Sequence, residues 1–133
     1  MGAAANKALI REYFARVGSG DPSLPELLAD DVVWWIPPGS KLGGTRRGKA
    51  QVLEVMAGAF ELFAKDQPLR IELEQIVAED DWVCVQFTLE TSTARGLDYC
   101  NHYHIAFELR DGRIARVNEY VDTAYANERL MGG

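Results

Sequence analysis

The sequence has 133 residues, of which 47% are apolar and 26% are charged, and its formal net charge at pH 7 is −6. Length and composition are typical of one soluble globular domain spanning residues 1–133. The acidic balance argues against a nucleic-acid or anionic-membrane partner, because both need a concentrated basic face. No apolar run is long enough to cross a bilayer, so a cytoplasmic protein is expected.

The first third of the chain predicts two helices and a strand. From Ala5 to Val17, apolar residues recur at spacings of one, three and four, which indicates an amphipathic helix. Ser23 to Glu26 has the pattern of a capping box and predicts a short second helix. Val32 to Ile36 predicts a buried strand, which ends before Pro37 because proline cannot donate to a strand ladder.

A glycine-rich segment and a third helix follow. The segment from Pro37 to Lys49 is predicted to be a mobile loop and a candidate lid over a pocket. Its glycines lack the spacing of a nucleotide-binding loop. From Ala50 to Lys65, apolar residues repeat at three and four, which predicts a helix with a broad apolar stripe.

The second half of the chain predicts four antiparallel strands joined by tight turns. Asp111-Gly112 is a strong hairpin signal, because glycine adopts a positive φ at no steric cost. A bulge is expected near Ile76, where the alternation changes phase. The tail from Thr123 to Gly133 is compatible with a short helix or a frayed end. The predicted strands are Leu69 to Ala78, Trp82 to Thr93, Cys100 to Leu109, and Arg113 to Val121.

This order of elements predicts an α+β fold. Helices gathered before an antiparallel meander favour a curved antiparallel sheet with three helices on its concave face, enclosing a pocket. The outer face of the sheet, carrying Val83 and Val85 or their polar alternates, has no helix to cover it. A homodimer is therefore expected.

Three segments carry a family resemblance: IREYFARVGSGDP, LLADDVVWWIPPGSKLGGTRRGKAQV and YCNHYHIAFELRDGRIARVNEYVD. Together they resemble the nuclear transport factor 2-like (NTF2-like) superfamily, and within it the SnoaL-like group of polyketide cyclases and ketosteroid isomerase relatives. The resemblance implies a cone-shaped fold that hosts isomerases, cyclases, dehydratases, epoxide hydrolases and non-catalytic binders.

The resemblance to ketosteroid isomerases carries over only in part. Tyr13 stands where those enzymes have a hydrogen-bond-donating tyrosine on the first helix. Their general base is an aspartate, but Ile36 occupies that position here. Their oxyanion-hole acid falls on His104 or Ile105, neither of which is a carboxylate. Isomerisation by that apparatus is therefore not expected.

Two other groups of the superfamily point to Glu119. Limonene epoxide hydrolases have their last-strand aspartate at the position of Glu119, but their arginine and first aspartate fall on Glu90 and Ser92. SnoaL-like cyclases are similar in pairing a histidine with an aspartate across the last two strands. His102 or His104 with Glu119 is the nearest equivalent, and we take Glu119, His104 and Tyr13 as the candidate catalytic residues.

The residue types themselves support Glu119. A carboxylate in an apolar cavity has a raised pKa and can transfer protons near neutral pH. The competing interpretation turns Glu119 outward, where Arg95 or Arg116 would pair with it. Simple strand alternation also places both histidines on the outer face, where a subunit interface or partial exposure would explain them.

Eight further residues are candidates to bind a substrate. Aromatic residues could line a pocket or simply fill the core, and the two asparagines are candidates to orient Glu119 or a ligand carbonyl. No cofactor is expected, and the two histidines lack a further His or Cys to complete a metal site. The eight residues are Trp34, Ile36, Phe60, Phe63, Glu90, Asn101, His102 and Asn118.

Two functional hypotheses follow. The first is a cofactor-free acid/base enzyme of the isomerase, cyclase or dehydratase type, in which Glu119 moves a proton on a small apolar or polyketide-like substrate. The second is a non-catalytic ligand-binding or dimerisation module of the same fold.

Overall fold

The computed structural model describes residues 2–132. This part of the chain contains three α-helices, a short 3-10 helix at Leu24–Leu27, and six strands. The helices are α1 (Ala3–Ser19), α2 (Lys49–Phe60) and α3 (Thr123–Arg129). The strands are β1 (Leu28–Ile36), β2 (Gly44–Arg47), β3 (Arg70–Glu79), β4 (Trp82–Ser92), β5 (Asp98–Arg110) and β6 (Arg113–Val121).

All six strands form one curved sheet in the order β2-β1-β6-β5-β4-β3. The predicted antiparallel meander from β3 to β6 is confirmed. β1 pairs with β6 in the parallel direction, so the sheet is mixed and not wholly antiparallel. This parallel pair brings the tryptophan-containing strand beside the strand that carries Glu119.

The turn between β5 and β6 has the geometry that its sequence predicts. Asp111 and Gly112 have φ angles of 51° and 73°. Two successive positive φ angles are the mark of the type I′ turn, whose twist matches that of the flanking strands. The tight turn sets the hairpin register, which places Ile105 opposite Glu119.

The helices pack on one face of the sheet, as the α+β prediction requires. α1 contacts β3 and β4, α2 contacts β1 and β2, and α3 contacts β5. The Phe14 ring meets the rings of Phe87 and Phe107 edge-on at centroid distances of 4.8 and 5.9 Å. Burying aromatic side chains of this size contributes roughly 1.5–3 kcal/mol each, so these contacts hold α1 on the sheet.

The segment from Pro37 to Lys49 differs from its predicted form as a mobile lid. It contains β2, which pairs with β1. The Lys41 N–H donates to Asn127 Oδ1 at 2.8 Å, and Asn127 Nδ2 donates to the Gly39 carbonyl at 2.8 Å. The segment is therefore tied to α3, a contact between distant parts of the sequence that its glycine content does not reveal.

Other differences concern the ends of elements. The predicted second helix is a single 3-10 turn, and β1 begins directly after it at Leu28. α2 ends at Phe60 and not at Lys65, because Phe63 instead forms a bridge with Thr93. The register shift in β3 lies between Leu73 and Gln75, slightly before its predicted place. Within the predicted tail, Thr123–Arg129 form α3, whose N-terminus is capped by Asp122, and Gly133 lies outside the described residues.

Candidate functional site

A cavity of about 140 Å³ lies between the helices and the concave face of the sheet. A cavity of this size accommodates about one aromatic ring. Its wall is mainly apolar, and Glu119 is the one charged residue among the described residues that line it. Six of the predicted site residues contribute to the wall: Tyr13, Trp34, Ile36, Phe60, Phe63 and Glu119.

Glu119 reaches the cavity because of the alternation of β6. Val117 and Val121 flank it on the same face of the strand, and Ile105 lies opposite on β5. Burial raises the pKa of the Glu119 carboxyl from 4.5 to about 7. An acid with this pKa is present in both protonation states near neutral pH, which is the condition for exchanging protons with a ligand.

Trp34 is the polar neighbour that opposes this rise. The side chain is only 5% exposed, and its Nε1 has no hydrogen-bond partner of normal geometry among the described residues. The indole N–H nevertheless lies close enough to Glu119 to lower the pKa of the carboxyl partly. A buried donor with no other partner is costly, so Trp34 and an ionised Glu119 stabilise each other.

We expect Trp34→Phe to raise the pKa of Glu119 further, by up to about one unit, because phenylalanine retains the apolar contact but lacks the N–H. The measurement is a pH titration of the Glu119 carboxyl by ¹³C NMR, with Glu119→Gln to assign its signal. Trp35→Phe is the matched control, since Trp35 lies on the opposite face against Tyr120. An equal shift in both variants would contradict the assigned contact.

Three tyrosines also line the cavity: Tyr13, Tyr99 and Tyr103. Burial, and to a smaller extent the charge of Glu119, raise the pKa of Tyr13 above its ordinary value. Burial likewise raises the pKa of Tyr99 and of Tyr103. All three hydroxyls therefore keep their protons at neutral pH and are available as hydrogen-bond donors or acceptors.

Tyr99 and Tyr103 were not among the residues predicted for the site. Both share strand parity with Ile105 and Phe107, which alternation places on the face toward the helices. That parity was the signal that could have identified them. Ser40 and Leu42 also line the cavity, but only because the glycine-rich segment folds back over it.

Asn101 is buried beside the cavity and does not line it. Its Oδ1 accepts the N–H of His102 at 2.8 Å, and its Nδ2 donates to the Tyr99 hydroxyl at 2.9 Å and to the Asp122 carbonyl at 3.2 Å. The predicted role of orienting Glu119 is therefore not what the structure displays. Asn101 instead orients Tyr99.

The structure does not bring the remaining predicted residues to the cavity. His102 and His104 are exposed on the outer face, because β5 pairs with β4 without a bulge from Asp98 to Glu108 and the alternation is unbroken. Asn118 shares this face by its parity in β6. Glu90 is exposed and pairs with Arg70 at 3.1 Å. The pairing of His104 with Glu119 is consequently absent.

Neither a metal cluster nor a membrane-spanning helix is evident in residues 2–132. No three His, Cys, Asp or Glu side chains of this region are grouped as a metal site requires. The two histidines and Glu119 point to opposite faces of the sheet, so they do not form a ligand set. None of the helices described here is long and apolar enough to cross a membrane.

A curved sheet with helices over its concave face and a cavity between them defines an NTF2-like α+β domain. Residues 10–117 match the family profile of the SnoaL-like domain. The chain therefore belongs to the SnoaL-like family, which confirms the resemblance seen in the sequence. A search of curated proteins found no significant match.

Solved structures of the same fold resemble the whole chain. An NTF2-like protein from Burkholderia pseudomallei is 21% identical, with 98% of each chain covered and a TM-score of 0.82. TerC, co-crystallised with polyporic acid, is 26% identical, with 96% of this chain and 98% of TerC covered and a TM-score of 0.80. A protein proposed to be a SnoaL-like polyketide cyclase, from Jannaschia sp. CCS1, is 16% identical, with 98% and 94% covered and a TM-score of 0.81.

Proposed function

We propose that this protein is a cofactor-independent acid/base enzyme that acts on a small, mostly apolar substrate, with Glu119 as the proton-transfer residue. The observation that carries the proposal is one ionisable carboxyl in a mainly apolar cavity, with its pKa raised by burial to about 7. Carboxyls tuned in this way serve as general acids and bases in many enzymes.

The cavity and the comparisons narrow the reaction class. A volume of about 140 Å³ suits a compound of roughly one ring. The tyrosine hydroxyls that line the cavity together with Glu119 can donate a hydrogen bond to an oxygen that becomes negatively charged when a neighbouring carbon loses its proton. Isomerisation, aldol-type cyclisation and dehydration can each begin with this step. A TerC crystal structure containing a small organic molecule, polyporic acid, supports a small-molecule ligand.

The alternative is a binding module that uses the cavity without chemistry, and the apolar wall favours it as a second candidate. Proton exchange separates the two functions. We would incubate a panel of small ketones with the protein in D₂O and follow loss of the α-proton signal by ¹H NMR. The enzyme hypothesis predicts exchange that depends on Glu119. Ligands that bind without accelerated exchange would support the binding module.

We also propose a homodimer formed through the outer face of the sheet. Val83 and Val85 face the core, so their polar alternates occupy the outer face. Tyr120 is 52% exposed there, and its ring packs on Trp35 at a centroid distance of 5.2 Å. An aromatic pair on an uncovered sheet is a plausible centre for self-association.

Sedimentation velocity at micromolar concentration tests the dimer. The expected result is a dimer for the wild type and a monomer for Tyr120→Arg, because a charge at the centre of the interface would be buried without a partner. Glu54→Arg, which changes an exposed residue of α2 on the opposite, helix-covered side of the sheet, is the control for added positive charge. A monomeric wild type would contradict the proposal.

The cytoplasmic location stays a prediction from the sequence.

A further inference from the structure

A chain of three side chains beside the cavity has a defined hydrogen-bond direction. It begins at Asn101, whose amide orientation is set by two backbone groups. The His102 N–H needs an acceptor and finds Oδ1 at 2.8 Å, while the Asp122 carbonyl needs a donor and finds Nδ2 at 3.2 Å. Nδ2 must therefore also be the atom that donates to the Tyr99 hydroxyl at 2.9 Å.

The next link is Tyr99, which is fully buried. Its oxygen accepts from Asn101, so its own proton needs an acceptor elsewhere. The Tyr103 hydroxyl oxygen lies 2.8 Å away and is the acceptor within reach among the described residues. A buried hydroxyl proton without an acceptor is costly, and this cost makes Tyr99 the donor to Tyr103.

The hydroxyl of Tyr103 is the end of this chain of hydrogen bonds. Its oxygen accepts the proton of Tyr99, which leaves its own O–H free to donate, and its side chain lines the cavity. The ring is held by stacking on Phe87, with centroids 4.9 Å apart and planes 5° from parallel. Tyr103 lies diagonally across the β5–β6 pair from Glu119. The free O–H of Tyr103 and the Glu119 carboxyl therefore face the same small cavity.

We infer that Tyr103 is the donor that binds the carbonyl oxygen of the substrate and stabilises the enolate formed there, with Asn101 and Tyr99 as positioning residues. This inference deepens the proposed function and names its substrate class, a small ketone or related carbonyl compound. Glu119 takes the proton from the carbon next to the carbonyl, the C–H electron pair forms a C=C bond, and the π electrons of the C=O bond move to the oxygen. Tyr103 donates a hydrogen bond to that oxygen without transferring its proton. Protonated Glu119 then returns its proton to a substrate carbon. This step regenerates the carbonyl group of the substrate and the ionised carboxylate of Glu119.

The test uses acetophenone, a one-ring ketone, and the 133-residue chain. Infrared spectroscopy of bound acetophenone reports the hydrogen bond through its carbonyl stretching band. We expect a lowered band frequency with the wild type, and with Tyr103→Phe a return toward the frequency in apolar solvent together with about tenfold weaker binding. Tyr99→Phe should give an intermediate, broader band, because Tyr103 then lacks the group that directs its proton.

Two controls keep the result specific. α-Methylstyrene has a similar shape without the oxygen and should bind equally to the wild type and Tyr103→Phe, which would demonstrate an intact cavity. Tyr125→Phe removes a hydroxyl that accepts from the Cys100 N–H outside the cavity wall and should leave the band unchanged. An unchanged band in Tyr103→Phe, or acetophenone that fails to bind the wild type, would overturn the inference.

The two proposals fail in different ways. A band that depends on Tyr103 without proton exchange in D₂O would reject the acid/base function and retain Tyr103 as the carbonyl donor. Exchange that depends on Glu119 with a band independent of Tyr103 would reject this inference and retain the function.

Discussion

Glu119→Gln is expected to lower the rate of α-proton exchange by about 10²–10⁴-fold, the range typical of losing a general base. Glutamine has nearly the same shape as glutamate and should leave the cavity intact, but it cannot accept a proton at neutral pH. The measurement is ¹H NMR exchange in D₂O on the ketone that responds best to the wild type. Its pH profile should rise through a pKa of about 7, where Glu119 becomes a base.

The same substitution should stabilise the protein at high pH. The folded carboxyl has a pKa of about 7, against an ordinary value of 4.5. Between these pH values the folded state holds a proton that the unfolded state has released, so the stability of the wild type falls as pH rises. Above pH 7 the loss reaches about 3 kcal/mol, and Glu119→Gln should avoid it.

Urea unfolding of both proteins at about pH 4.5 and about pH 8 measures this difference. The variant should match the wild type at the lower pH and exceed it at the higher pH. Glu72→Gln is the matched control, because Glu72 is exposed on β3 and away from the cavity wall. It should change neither exchange rate nor stability. Full exchange activity in Glu119→Gln would remove Glu119 from the mechanism.

Gly43→Ala is expected to destabilise the folded protein by about 1–3 kcal/mol and to weaken ligand binding. A Cβ at this position would lie 2.8 Å from the Ser40 carbonyl oxygen and 2.9 Å from Pro38 Cα, and closer still to the Pro37 carbonyl oxygen. These are backbone atoms, which cannot rotate away as a side chain would. The turn must therefore open. Because the same turn contains Ser40 and Leu42, which line the cavity, its opening disturbs the cavity wall.

Gly39→Ala is the control within the same segment, since its Cβ would meet only the Thr123 Oγ1 at 3.4 Å. Urea unfolding and acetophenone affinity should change much less in this variant than in Gly43→Ala. If Gly43→Ala had as small an effect as Gly39→Ala, the segment would be able to accommodate the added methyl group. That result would support the mobile loop predicted from the sequence.

The hairpin of β5 and β6 was the part of the fold most readable from sequence. Asp111 and Gly112 set its turn, and strict alternation placed Ile105 and Phe107 on the face toward the helices. The same alternation placed His102 on the outer face. This parity was better evidence on the histidine than the resemblance to cyclases, which assigned a catalytic pairing that the strand geometry does not allow.

Other features depended on contacts between distant parts of the chain. Nothing in the composition of β1 indicates that it pairs in parallel with β6. The order of the glycine-rich segment depends on Asn127, which lies 86 residues beyond Lys41. The direction of the tyrosine chain depends on backbone partners of Asn101. Local sequence patterns predict which face of a strand a residue occupies. They do not predict which distant residue it contacts, and these features depend on such contacts.

The central claim is that Glu119 titrates near neutral pH inside the cavity. The most direct measurement is ¹³C NMR of the glutamate carboxyl carbons across a pH titration, with the Glu119 signal identified by its absence in Glu119→Gln. The structure predicts a pKa of about 7 for this signal. A pKa at the ordinary value of 4.5 would mean that water reaches the carboxylate freely, and it would contradict the account.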